Sequence, residues 1–139
     1  DANEKIMLEG FANLIKSNPK IVTFNGRGFD FPFLLFRAGV HSVPLRLDIY
    51  PYNGRSNHFD LFVHLNTISC LSNLDSYLKM IGLKKWIEYF NLGSKLSIAN
   101  GEINLKQLSE TGNIQQIEEY VKNDVMTTFE LYNIFRGQD

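Results

Sequence analysis

Apolar and polar residues alternate along this chain in two periods, and the switch between them marks out the elements. Met7, Phe11 and Leu14 recur at helical spacing, so residues 3–17 read as an amphipathic helix that ends at Ser17-Asn18-Pro19. Lys20 to Asn25 is short, β-branched and apolar, the mark of a buried strand. Gly26-Arg27-Gly28 follows as a loop. A second helix is expected from about Asp30 to Ala38, with Gly39 just past its end. Residues 40–57 carry Pro, Asn, Gly and Tyr and read as an irregular connection. His58 to Val63 alternates and reads as a second strand, His58 and Asp60 on one face and Phe59, Leu61 and Val63 on the other. Further helices are expected at 73–81, 85–91 and 104–110, and a long one over 113–136.

Helices alternating with strands indicate an α/β fold with a parallel core, here a single domain over 1–139. Only two strands stand out, and a two-stranded sheet cannot cover its own faces and edges. Part of the sheet is expected from elsewhere, and the open edge of the Lys20–Asn25 strand invites pairing with a second copy of the chain.

Two aspartates draw attention by position. On the last helix Ile114, Ile117, Val121, Thr128, Leu131, Tyr132 and Phe135 share one stripe, and Asp124 falls within it by spacing. A carboxylate there is costly unless it is paired, hydrogen-bonded or metal-bound. Tyr120 lies one turn back, within reach of the same spot. A basic partner, or capping of a neighbouring element, would account for Asp124 as well as a site would. Asp30 follows a strand and its glycines, where sites form in open α/β sheets. It is also placed to cap the helix that Pro32 opens. For His58 and Asp60, a pair that fixes local geometry is the favoured reading over metal binding.

Composition narrows the classes. The chain has 139 residues, a net charge of −1, 44% hydrophobic residues and one cysteine, Cys70. That suits a soluble domain in a reducing compartment, expected to be cytoplasmic, without an internal disulfide. No run is long enough to cross a membrane. The near-neutral charge removes a global basic field, although a local groove of Lys and Arg can serve nucleic acid. His41, His58 and His64 lack zinc-site spacing, and there is no phosphate-loop, dinucleotide or nucleophile-elbow pattern. The chain starts without Met, so it is expected to be the C-terminal part of a longer domain.

Taken in order, two segments carry a resemblance. Residues 21–39, with Phe24-Asn25-Gly26 before Phe29-Asp30 and Pro32, resemble the second acidic motif of DnaQ-like 3′–5′ exonucleases of the ribonuclease-H-like superfamily. Residues 118–132, with Tyr120-x-x-x-Asp124 on a long helix, resemble the third motif. The likeness is nearest to the proofreading domains of family-B DNA polymerases and to stand-alone bacterial relatives. His58–Phe62 is similar to a strand that often follows the second motif. The resemblance implies Asp30 and Asp124 as metal-binding carboxylates, Tyr120 as the group that orients water, and Asn25, Phe29 and Phe31 as contacts of the 3′-terminal nucleotide. It implies Mg²⁺ or Mn²⁺ in a two-ion site, with a single-stranded 3′ end, DNA rather than RNA, as partner. The family's first motif, Asp-x-Glu on a central strand, has no counterpart in these residues. Two readings follow: a metal-dependent exonuclease of which this chain alone is inactive, or a non-catalytic nuclease-like module that binds nucleic acid or protein. An unrelated α/β domain, with Asp30 a cap and Asp124 a buried partner, is the third.

Overall fold

The structure, a computed structural model, describes residues 2–49, 57–68, 81–92 and 114–137. Among these, five helices and a two-stranded parallel sheet form an α/β arrangement. The chain divides into two compact units, residues 1–79 and 80–139, and each is described by itself. The helices expected at 73–81 and 104–110 lie outside the described residues.

The first unit opens with α1, Ala2–Ile15, followed by β1, Ile21–Thr23, and α2, Asp30–Val40. Leu8 and Ala12, not Met7 and Leu14, are the residues that α1 buries. They pack with Ala38, Val43, Leu34 and Leu45 in a small core between α1 and the far end of α2. An ion pair locks the same two helices. Both carboxylate oxygens of Glu4 accept from Arg37, from Nε and Nη2 at 2.5 Å each, and His41 Nε2 lies 2.9 Å from Glu4 Oε2. This holds the Glu4 carboxyl at about 2, well below its ordinary 4.5, with the Arg37 contact the larger cause and His41 the next.

α2 runs past Gly39. Its C-terminus is closed by Ser42, which takes a left-handed φ of 55°. The Val43 amide donates to Ala38 O at 2.8 Å and the Ser42 amide to Gly39 O at 3.2 Å. These are the two bonds of a Schellman motif, so a serine does here what a glycine was expected to do.

β1 pairs in parallel with β2, His58–Asp60, in the register Ile21 to His58 and Thr23 to Asp60. Both strands are three residues long, shorter than the sequence pattern suggests. His58 and Asp60 share the buried face, as their spacing indicates. From Leu61 the chain is helical: α3 spans Leu61–Ile68 and buries Leu61 and Leu65 completely or nearly so. Residues 61–63 therefore belong to a helix and not to a strand, because Asp60 supplies a cap. Its Oδ1 accepts the Phe62 amide at 3.1 Å.

The second unit contains α4, Leu83–Tyr89, and α5, Ile114–Phe135. α4 ends in another left-handed residue, Asn91, with the Leu92 amide bonded to Ile87 O at 2.9 Å. Trp86 stacks on Phe90, which meets Phe135 edge-on at 5.5 Å between ring centres. Thr127, Leu131 and Phe135 form the buried line of α5. No helix among the described residues is long and apolar enough to cross a membrane.

Candidate functional site

The loop from Asn25 to Phe29 turns the end of β1 into the start of α2, and its shape follows from its residues. Asn25 adopts a left-handed φ of 64°, which Asn tolerates better than other non-glycine residues. Its carbonyl then accepts two amides, from Gly28 and Phe29, at 3.1 Å each. Gly26 and Gly28 are there for room. A Cβ on Gly26 would collide with the Thr23 side chain, and one on Gly28 would sit 2.5 Å from Asn25 Oδ1.

A single carboxylate clamps this loop. Asp60, only 5% exposed, accepts the Asn25 amide on Oδ1 at 2.8 Å and the Arg27 amide on Oδ2 at 3.0 Å. Together with the Phe62 amide, three backbone donors converge on one buried side chain. This is the role the sequence did not disclose. The His58–Asp60 pair was expected to fix local geometry, and both residues do so, each through the loop. The signal was present in the helical spacing of Leu61, Leu65 and Ile68 directly after an Asp, which marks Asp60 as a helix cap.

Asp30 is the first residue of α2, and the capping position falls to Phe29, which offers no side-chain cap. The expected cap at Asp30 is therefore not what the structure shows. Its carboxyl is held above the ordinary 3.8, first by partial desolvation and then by the negative charge of nearby Asp60, while its own backbone amide pulls the other way. A carboxylate kept at such a disadvantage is a mark of functional positions, although structural networks also produce it.

The two aromatic neighbours of Asp30 differ. Phe29 is 69% exposed, whereas Phe31 is 2% exposed and lies against the His58 ring at 4.2 Å. Only Phe29 presents a ring surface to a ligand in this structure. Phe31 anchors the loop from below.

On α5, Asp124 stands exposed instead of lying within a buried stripe. Val121, three residues back, is likewise exposed, at 52%. Tyr120 lies one turn back on the same helix, and its hydroxyl is near enough to lower the Asp124 carboxyl. The group beside Asp124 is thus a neutral donor and not a basic side chain. Partial desolvation holds the Asp124 carboxyl above its ordinary 3.8, and Tyr120 opposes this. The Tyr120 hydroxyl is in turn pushed up, by desolvation first and then by the charge of Asp124. Asp30 and Asp124 lie in different units, and each is described within its own.

Among the described residues no group of three or more His, Cys, Asp or Glu side chains could hold a metal ion. Asp60, the carboxylate near Asp30, has both oxygens committed to backbone amides. The donors among the described residues do not fit a two-ion centre without further carboxylates.

The α/β chain thus carries one carboxylate at a strand-to-helix turn and another beside a tyrosine on a long helix. Residues 1–138 match the family described as a predicted 3′–5′ exonuclease related to the exonuclease domain of PolB, and the chain belongs to that family. The catalytic polypeptide of DNA polymerase epsilon from Emericella nidulans is 33% identical to it over 141 residues, covering 95% of this chain. Its counterpart from Aspergillus fumigatus is 32% identical over 142 residues, again covering 95% of this chain. The chain spans about 6% of the length of these curated relatives. No solved structure matches.

Proposed function

We propose that this chain supplies the second and third acidic motifs of a metal-dependent 3′–5′ exonuclease of ribonuclease-H-like fold, acting on single-stranded DNA ends. What supports the reading is the match of residues 1–138 to an exonuclease family, in a chain that sets Tyr120 one helical turn from Asp124. In this reading Asp30 and Asp124 are carboxylates for Mg²⁺ or Mn²⁺, and the Tyr120 hydroxyl is the polar group beside Asp124 that orients water. Asn25 and exposed Phe29 contact the terminal nucleotide, and Phe31 backs them from the core. An Asp-x-Glu pair occurs nowhere in the sequence, and in this reading the first-motif ligands and a central strand are supplied from outside these 139 residues.

The 139 residues alone are therefore expected to degrade little or no end-labelled single-stranded oligonucleotide with Mg²⁺ or Mn²⁺. Robust 3′–5′ degradation by them would overturn the claim of insufficiency. The coding sequence upstream tests the wider reading: without a strand carrying Asp-x-Glu, the catalytic form of it fails.

The near-neutral charge and the missing carboxylates favour a second reading, a non-catalytic module that binds nucleic acid or protein. Calorimetric titration with Mn²⁺ separates the two. Binding that disappears in Asp124→Asn counts against the module. The short, open sheet further leads us to propose self-association through a strand edge. A monomeric mass by light scattering would refute it.

A further inference from the structure

The Asn25–Asp30 loop rests on a second support besides Asp60, and that support depends on one proton. His58 is 8% exposed, with its ring wedged between β1 and the loop. Its Nδ1 lies 3.2 Å from Arg27 Nε, and Arg27 Nη2 donates to the His58 carbonyl at 3.4 Å. On the other side, Nε2 lies 2.7 Å from Thr23 Oγ1. The Thr23 oxygen also accepts the Gly26 amide at 3.1 Å.

A guanidinium has only donors. His58 Nδ1 must therefore accept, so it carries no proton. The ring proton of the neutral imidazole then sits on Nε2 and points at Thr23. The other neutral tautomer would set donor against donor at Arg27, and the imidazolium would do the same with a second positive charge added. One of the ring's protonation states satisfies the relay, and the others break it. The same ring carries Phe31, the residue after Asp30, on its face.

We propose that His58, neutral and protonated on Nε2 alone, is the positioning residue of the Asn25–Asp30 loop, relaying Thr23 to Arg27. Its role in catalysis rests on the exonuclease reading, but the tautomer and the loop geometry do not. Among the described residues, the charged groups that influence the ring are Asp60 on its own strand, Arg27 in the loop and Asp48 in the segment after α2. Burial opposes protonation most, the two carboxylates favour it, and Arg27 opposes it. The balance holds the ring below its ordinary 6.5, so the locked form persists at neutral pH.

Nitrogen-15 NMR of histidine in the 139-residue chain tests this. At about pH 7, the long-range correlation pattern should show one proton on Nε2 and none on Nδ1. As pH falls, the Gly26 and Arg27 amides should shift with the same midpoint as the His58 ring, and that midpoint should lie below 6.5. Thr23→Val keeps the side-chain shape and removes the acceptor. It should speed exchange of the Gly26 amide about tenfold, as expected for one lost hydrogen bond, while Thr23→Ser restores protection. Arg27→Gln should let the ring titrate at higher pH and populate both tautomers. A proton on Nδ1, an imidazolium at neutral pH, or loop amides indifferent to the titration would overturn the proposal. None of these measurements uses catalysis, so failure of the exonuclease reading would leave this result standing, and the reverse also holds.

Discussion

Replacing Asp60 by Asn is the sharpest test of how the candidate loop is held. The change preserves shape and removes one acceptor and one charge. The carboxylate serves three backbone amides, those of Asn25, Arg27 and Phe62, at 2.8, 3.0 and 3.1 Å. An amide keeps a single oxygen. In its best orientation it still serves Asn25 and Phe62, and its NH₂ then faces the Arg27 amide, donor against donor. A buried donor left unpaired costs about 1–3 kcal/mol, and hydrogen bonds to a charged group exceed neutral ones by about 1 kcal/mol each. The expected loss is on the order of 3 kcal/mol, a large share of the roughly 5–15 kcal/mol that stabilises a domain. With a urea slope of about 1–3 kcal/mol/M, the unfolding midpoint should fall by about 1–3 M. Circular dichroism in urea measures the midpoint, and amide exchange along α3 shows whether that helix is the part lost. Glu9→Gln is the control, because its exposed pair with Lys5 at 4.0 Å contributes about 0.5 kcal/mol or less. If Asp60→Asn unfolds at the midpoint of the unaltered chain, the three bonds do not hold the loop and the reasoning is wrong.

Three further outcomes follow from the carboxyls. Glu4 has a folded value of about 2 against an ordinary 4.5, so its contribution is whole above pH 4.5 and is lost as pH falls toward 2. An acid titration of helicity should show a loss in that window, and Glu4→Gln should flatten it. Asp30 and Asp124 have the opposite sign: both are raised above 3.8, the folded state binds the proton more tightly, and each carboxylate opposes folding at neutral pH. Asp30→Asn and Asp124→Asn should therefore unfold at an unchanged or higher urea midpoint at neutral pH, and a clear drop in either would contradict this assignment. Tyr120→Phe removes the donor that lowers the Asp124 carboxyl, so a carbon-13 titration should place Asp124 higher in that variant than in the unaltered chain.

Much of the local structure was legible because it depends on neighbours in sequence. The ranges of α1, α2 and α5 follow from periodicity, and the pairing of Tyr120 with Asp124 follows from a four-residue step on a helix. The errors arose where two periods fit the same residues. His58-Phe59-Asp60-Leu61-Phe62-Val63 alternates as a strand does, while Leu61, Leu65 and Ile68 recur as a helix does, and the cap at Asp60 decides in favour of the helix. Tertiary facts were less accessible. Burial of Phe31 beside an exposed Phe29 depends on where the His58 ring lies, and helical spacing alone does not say that α5 buries Thr127, Leu131 and Phe135 and leaves Asp124 exposed. The convergence of amides on Asp60 joins it to loop positions 33 and 35 residues away, and no sequence period carries that information.

That convergence also couples folding to the order of the loop. Loop and helix draw on the same two oxygens, so Asp60 ties the loop to the first turn of α3. The entropy of ordering the loop is met during folding and would not recur as a cost on the proposed binding of a nucleotide. Conversely, any molecule that grips residues 25–29 stabilises the folded state by mass action. Its binding should then be legible as a rise in thermal midpoint, in a chain that need not turn over a single phosphodiester.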